Sequence, residues 1–145
     1  VFLLSIIAVP AAHAQDRDEA YVDSLRTLQA VGRIGAITKD WCDERSPGTR
    51  ATHAAGLKAW RAATRLDEVD ALLEARTPGR SVDMSDKRAR YFASLDSQYP
   101  KPQALCGDLQ RSLGRDLDPR KLYPEETVGD EPTAADGACR TQGGD

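Results

Sequence analysis

The side chain best suited to acid–base chemistry in this chain is the imidazole of His53, which follows a run that contains Asp40, Asp43 and Glu44. Histidine is the commonest general base and a common metal ligand near neutral pH. The sequence therefore suggests two interpretations, a metal-assisted site built from His53 and these carboxylates, or a solvated or helix-capping histidine. We favour the second. A catalytic Cys–His pair is also disfavoured, because the nearest thiol, Cys42, is expected to be oxidised.

A second group with chemical potential is formed by Asp67, Asp70 and Glu74, whose spacing by three and four residues places them on one helix face. Paired carboxylates act as acid and base only where their environments separate their pKa values. We interpret them as a solvated acidic face, since nothing nearby in the sequence indicates a cleft. Phosphate-binding glycine loops and the HExxH, GxSxG and CxxCH motifs do not occur. We predict no catalytic residue, metal or cofactor.

Three cysteines, Cys42, Cys106 and Cys139, lack the close spacing that zinc and haem sites require. We predict a Cys42–Cys106 disulfide, because the end of the first predicted helix and the start of the fourth should lie at the same end of the molecule. The pairing requires residues 77–82 to climb along the molecule, or the second helix to bend. Cys139 is then a spare thiol or an intermolecular link, unless it is the true partner of Cys42.

The first residues of the chain are typical of a secretion signal. Residues 1–10 are mostly apolar and end in Pro10, and the run Ala12-His13-Ala14 matches an A-x-A cleavage site. Cleavage after Ala14 would leave Gln15 as the first mature residue. The alternative is a buried N-terminal helix. We predict an exported protein with a periplasmic location, where disulfides are stable.

Apolar residues recur every three to four positions between Asp18 and Leu117, which predicts helices rather than strands. The predicted helices are residues 18–42, 49–76, a third from Ser81 or Asp83 to Tyr99, and 102–117. Short connections favour antiparallel neighbours. We therefore predict an all-α fold, an irregular antiparallel bundle of about four helices that forms one domain over residues 15–119. Gly32 and Gly35 indicate either a close approach of a neighbouring backbone or a weak point or kink in the first helix.

Residues 120–145 are poor in apolar side chains and rich in acid, and we predict a disordered acidic tail there. The net charge of -3 and the pI of about 5.4 argue against nucleic acid as a partner. No apolar run reaches the length that a membrane span needs, so we predict no span after signal cleavage.

Two indoles, Trp41 and Trp60, are the largest apolar groups, and core packing is the default interpretation for both. If the protein has a binding surface, we expect it at the disulfide end of the molecule. The residues predicted to form it are Trp41, Arg45, His53 and Arg61.

The segment Asp40-Trp41-Cys42 with Pro47 after it, together with Ala59-Trp60-Arg61 in an alanine-rich helix, resembles small secreted proteobacterial helical proteins of unknown function. The resemblance covers about a third of the chain. It implies an exported helical protein and assigns no activity or site residue.

Together these observations predict a non-catalytic exported helical protein that acts by binding, with a protein of the cell envelope as its partner. One alternative is a small metal-assisted enzyme that uses His53 and nearby carboxylates. Another is a structural envelope protein that dimerises through Cys139. The sequence predicts no particular oligomeric state.

Overall fold

The computed structural model describes residues 12–124. These residues are mainly helical and contain no strand. Short 3₁₀ turns, Pro47–Thr49 and Ser85–Lys87, precede the second and fourth helices. The helices are α1 Ala12–Arg45, α2 Arg50–Ala63, α3 Leu66–Arg76, α4 Arg88–Gln98, α5 Gln103–Cys106, α6 Leu109–Asp116 and α7 Pro119–Leu122. The all-α class predicted from the apolar spacing is confirmed for the described part of the chain.

Helix α1 is the central element, and α2, α3 and α4 all pack against it. Its predicted apolar stripe faces inward, because residues three and four apart lie on one side of a helix. It begins at Ala12 and continues to Arg45 rather than ending at Cys42. The rest of the predicted signal, residues 1–11, lies outside the described residues. The buried apolar side chains of α1 are Tyr21, Val22, Leu25, Leu28, Val31, Ile37, Trp41 and Cys42.

The second predicted helix is divided into α2 and α3 at Thr64 and Arg65. Arg65 adopts a left-handed backbone conformation with φ 59°, which ends the first segment and redirects the second. The hydroxyl of Thr64 donates to the carbonyl of Trp60 at 2.7 Å, which satisfies one of the last carbonyls of α2. Because the chain changes direction at this break, Trp60 before it and Leu66 after it are both buried.

The linker after α3 climbs along α1, which is one of the two conditions under which the predicted disulfide can form. Arg76, at the end of α3, pairs with Asp18 near the start of α1. By Val82 the chain has moved further along α1, where the backbone N–H of Val82 donates to the side chain of Gln29 at 2.6 Å. Helix α4 can therefore start beside the last turns of α1, where Arg88 pairs with Asp40 and Glu44.

The third predicted helix starts later than expected. Neither Ser81 nor Asp83 caps it, since residues 80–84 are not helical and α4 begins at Arg88 after a 3₁₀ turn. Asp83 instead accepts a hydrogen bond from the backbone N–H of Ser85 at 2.9 Å and so stabilises that turn. No residue of α4 is fully buried, so this helix covers α1 without entering the core.

The fourth predicted helix is divided into α5 and α6. Asp108 interrupts it and caps α6, with its carboxylate accepting from the backbone N–H of Arg111 at 3.1 Å. Ser112 then donates to the carbonyl of Leu105 at 2.9 Å and ties the two segments together. Leu105 before the break and Leu109 and Leu113 after it are all buried, so the segment keeps one apolar face across the break.

The predicted tail begins with ordered structure. Asp118 accepts from the backbone N–H of Arg120 at 3.0 Å and caps the short helix α7, which extends to Leu122. The remaining tail residues, 125–145, lie outside the described residues, and Cys139 lies with them.

A single hydrophobic core joins α1, α2, α3, α5 and α6. The disulfide between Cys42 and Cys106 lies in it, with the two sulfurs 2.05 Å apart and both cysteines buried. This confirms the predicted pairing. Gly35 leaves space for the ring of Trp60, so the close approach predicted at this glycine involves a side chain.

Candidate binding groove

The four residues predicted to form a binding surface do not lie together on the surface. Trp41 and His53 are each 0% exposed, and a side chain without accessible area cannot contact a partner. Arg45 is exposed, but Arg61 is largely covered and belongs to a separate ion-pair group. The structure therefore corrects this prediction and assigns each residue a contact within the fold.

Trp41 and Arg45 share one carboxylate, that of Asp96 on α4. Its Oδ1 accepts from Nε1 of Trp41 and from Nε of Arg45, both at 2.9 Å, while Oδ2 accepts from Nη2 of Arg45 at 2.8 Å. The hydrogen bonds from Arg45 and then Trp41 lower the pKa of Asp96. These contacts fasten the middle of α4 to the end of α1. Sequence reasoning missed Asp96 because it is distant in sequence from both partners.

His53 uses both ring nitrogens within the fold. Nδ1 lies 2.9 Å from Oδ1 of Asp43, and Nε2 lies 2.9 Å from the hydroxyl of Thr49. Lys39 binds the other oxygen of Asp43 at 2.6 Å. The expected contact with a nearby carboxylate is present, but the histidine is buried rather than solvated. Neither nitrogen faces a space where a substrate or metal ion could approach.

The Asp43 carboxylate should contribute to the acid sensitivity of the fold. Burial raises its pKa, but hydrogen bonds from Lys39 and His53 outweigh burial and leave the pKa below its ordinary value. A carboxyl whose pKa is lowered by folding stabilises the folded state above about pH 3.9, and this contribution is lost as the pH falls through the folded-state pKa. We expect the free energy of unfolding of Asp43→Asn to fall less steeply below about pH 4 than that of the unmodified protein.

Chemical denaturation at a series of pH values measures this difference. The matched control is Asp86→Asn, because Asp86 makes no hydrogen bond or ion pair with the described residues. Its acid profile should follow that of the unmodified protein. Parallel profiles for Asp43→Asn and the unmodified protein would contradict the role assigned to Asp43.

Arg61 neutralises part of the predicted acidic face. Its Nε donates to Asp67 at 2.7 Å, and its Nη2 pairs with Asp70. Glu74, the third member, accepts from the backbone N–H of Gly79 at 3.1 Å. Asp67 and Glu74 are exposed and Asp70 is partly covered, so the face is solvated as predicted, and each carboxylate also has a partner within the fold.

A groove of about 490 Å³ lies between α1 and the segment before α4. We call it the Arg33 groove. Its lining combines charged and hydroxyl side chains with small and apolar ones. Its residues are Arg33, Ala36, Ile37, Asp40, Ser81, Val82, Asp83, Met84, Ser85 and Arg88.

The charged groups of the Arg33 groove differ in how well they are paired. Arg88 binds Asp40 at 2.7 Å and Glu44 at 2.9 Å, and both contacts raise the pKa of Arg88. Arg33 makes no hydrogen bond or ion pair with the described residues, although its Nε is buried. The backbone N–H and then the hydroxyl of Ser85 lower the pKa of Asp83, and the charge of Arg33 adds to that shift. Arg33 is thus the cation of the groove without a bound partner.

A second concavity, of about 220 Å³, lies on the other side of α4 and is more apolar. We call it the tyrosine pocket. Tyr99 donates to Asp116 at 3.2 Å at its edge. The pKa of this tyrosine is raised by burial first and by the Asp116 charge second. The helices α1, α4, α5 and α6 contribute its walls, which include Ile34, Tyr91, Leu95, Tyr99, Leu105, Leu113 and Leu117.

Within residues 12–124, no group of three or more histidine, cysteine or carboxylate side chains is arranged to hold a metal ion. None of the helices described is both long and apolar enough to cross a bilayer.

The sequence carried little signal for the groove. Arg33 stands between Gly32 and Ile34 as a polar residue beside an apolar stripe, which is ordinary for a helix surface. Its significance depends on where residues 81–85 lie, and these were predicted to be the start of a helix. In comparisons of the chain with protein-family models, curated proteins and solved structures, no match was found.

Proposed function

We propose that this chain is a non-catalytic exported protein that binds a protein partner in the cell envelope through the Arg33 groove. The observation that carries the proposal is that Arg33, which lines this groove, makes no hydrogen bond or ion pair with the described residues. Its Nε is buried, so the terminal guanidinium nitrogens, Nη1 and Nη2, are the donors that a partner can reach. A hydrogen bond to a charged group contributes about 1.5–3 kcal/mol.

The composition of the groove supports a protein as the occupant. Protein interfaces combine an apolar centre with a polar rim that provides hydrogen bonds. Ala36, Ile37 and Met84 offer apolar contact area, and the hydroxyls of Ser81 and Ser85 add polar groups. Arginine is enriched among the residues that contribute most to protein–protein binding.

Export is part of the proposal and has two supports. Residues 1–14 have the pattern of a secretion signal. The buried Cys42–Cys106 disulfide belongs to a class of bond that persists in oxidising compartments such as the periplasm. A periplasmic location and kinship with small secreted proteobacterial proteins are consistent with both.

The test is a comparative affinity capture from the envelope fraction of the source cells with two tryptophan variants. Ala36→Trp fills the Arg33 groove, whereas Ala93→Trp adds the same group on the exposed side of α4, outside both concavities. We expect a protein that is retained by the unmodified chain and by Ala93→Trp and is lost with Ala36→Trp. In Ala36→Trp, the tryptophan side chain occupies the groove and excludes the partner sterically.

Circular dichroism and thermal unfolding of both variants serve as the folding control. A captured protein that Ala36→Trp retains as well as the unmodified chain does would rule out the groove as its binding site. Failure of all three forms to retain any protein, including after cross-linking in intact cells, would argue against a protein-binding function.

A further inference from the structure

We infer that the segment bound in the Arg33 groove presents a single carboxylate to Arg33 next to an apolar side chain that packs on Val82 and Met84. The inference rests on the proposed function and specifies the chemistry of the partner. It assigns Arg33 as the residue that determines which segment binds.

A carboxylate is the acceptor that fits Arg33 best. The guanidinium is planar and always charged, and it binds a carboxylate through two parallel N–H···O bonds. A charge-assisted bond of this kind is about twice as strong as a neutral one. The Nε of Arg33 is buried, so the two parallel bonds to the carboxylate come from the terminal nitrogens Nη1 and Nη2.

The other charges of the groove limit the ligand to one negative group. Arg88 is neutralised by Asp40 and Glu44, so it has no free positive charge to offer. Asp83 also lines the groove, with its carboxylate bound to the N–H of Ser85. A run of acidic residues would place like charges beside Asp40 and Asp83. The groove therefore favours an isolated aspartate or glutamate over an acidic stretch.

The apolar area adjacent to Arg33 accounts for the second feature of the bound segment, its apolar side chain. Ile37 is 8% exposed and forms part of the groove floor, and Val82 and Met84 are only partly covered by the rest of the chain. An apolar side chain that covers Val82 and Met84 removes that area from water, which contributes about 25 cal/mol per Å² buried. Methionine adapts to side chains of different shape.

Selection from a random-peptide display library tests the inference with the folded chain as bait. The baits are the unmodified chain, Arg33→Glu, and the matched control Arg90→Glu, which introduces the same charge on the exposed side of α4. We expect the unmodified chain and Arg90→Glu to enrich peptides with one aspartate or glutamate beside an apolar residue. Arg33→Glu should instead enrich lysine or arginine at that position.

Binding of the selected acidic peptides should weaken by about tenfold or more in Arg33→Glu and remain unchanged in Arg90→Glu. Arg33→Gln, which keeps a polar side chain without the charge, provides the second variant where Arg33→Glu fails to fold. Unfolding curves establish that each bait is folded.

The outcomes separate this inference from the proposed function. Two results would overturn the carboxylate motif and leave the groove as a binding site. In one, the enriched peptides fail to bind Ala36→Trp and yet lack a carboxylate. In the other, they fail to bind Ala36→Trp but bind Arg33→Glu as well as they bind the unmodified chain. Enrichment of acidic runs would overturn the single-charge motif. If Ala36→Trp excludes none of the enriched peptides, the groove itself is not a binding site and both proposals fail.

Discussion

Removal of the Cys42–Cys106 disulfide by the paired substitution Cys42→Ala and Cys106→Ala should lower the free energy of unfolding by about 4 kcal/mol. The bond joins residues 64 positions apart, so it restricts a large loop in the unfolded chain. Both cysteines also belong to the core, and the alanines leave small cavities there. A loss of that size is a large fraction of the roughly 5–15 kcal/mol that stabilises a typical domain.

Urea denaturation of the oxidised protein, its reduced form and the paired variant measures the effect. The reduced form should lie close to the paired variant, because both lack the covalent link. Cys139→Ser is the matched control and should unfold at the same urea concentration as the unmodified chain. Equal midpoints for the oxidised and reduced forms would show that the disulfide does not stabilise the fold.

Gly35→Ala should destabilise the fold by about 1–3 kcal/mol, although alanine favours helix more than glycine does. A methyl group at this position would lie 2.8 Å from Cη2 of Trp60, inside contact distance. Trp60 is 1% exposed and surrounded by the core, so its ring has no room to move away.

Gly32→Ala provides a matched control on the same helix. A methyl group there would lie 2.9 Å from Nη1 of Arg61, the far end of a flexible side chain that can shift. We expect Gly32→Ala to be neutral or to stabilise by up to about 1 kcal/mol from helix propensity alone. Combining Gly35→Ala with Trp60→Leu should remove most of the penalty, and a double-mutant cycle measures this coupling. Equal effects of the two alanine substitutions would contradict the packing of Trp60 on Gly35.

Apolar spacing predicted the helical class and the inward face of α1 because both depend on local sequence. The division between α2 and α3 could not be seen in that way. Thr64 and Arg65 are ordinary helix residues, and the apolar spacing from Trp60 to Leu66 and Val69 continues across the break. The left-handed conformation at Arg65 follows from the packing of α3 on α1, which the local pattern does not contain.

The disulfide was predictable because helix order places its cysteines at one end of the molecule, whereas the helix lengths required in addition that the linker climb or that the second helix bend. The contacts of His53 and Trp41 were less predictable, since their partners Asp43 and Asp96 are identified only once the end of α1 is packed against α2 and α4. The groove was not predictable, because it depends on the path of a non-helical linker.

Helix α4 has no fully buried residue, and ion pairs at Arg88 and Asp96 supply much of its attachment to α1. It borders the Arg33 groove through Arg88 and the tyrosine pocket through Tyr91 and Leu95. Because α4 contributes to the lining of both cavities, their shapes depend on the contacts that attach this helix. Concentrated salt, which screens exposed ion pairs, should therefore loosen one wall of each cavity at once.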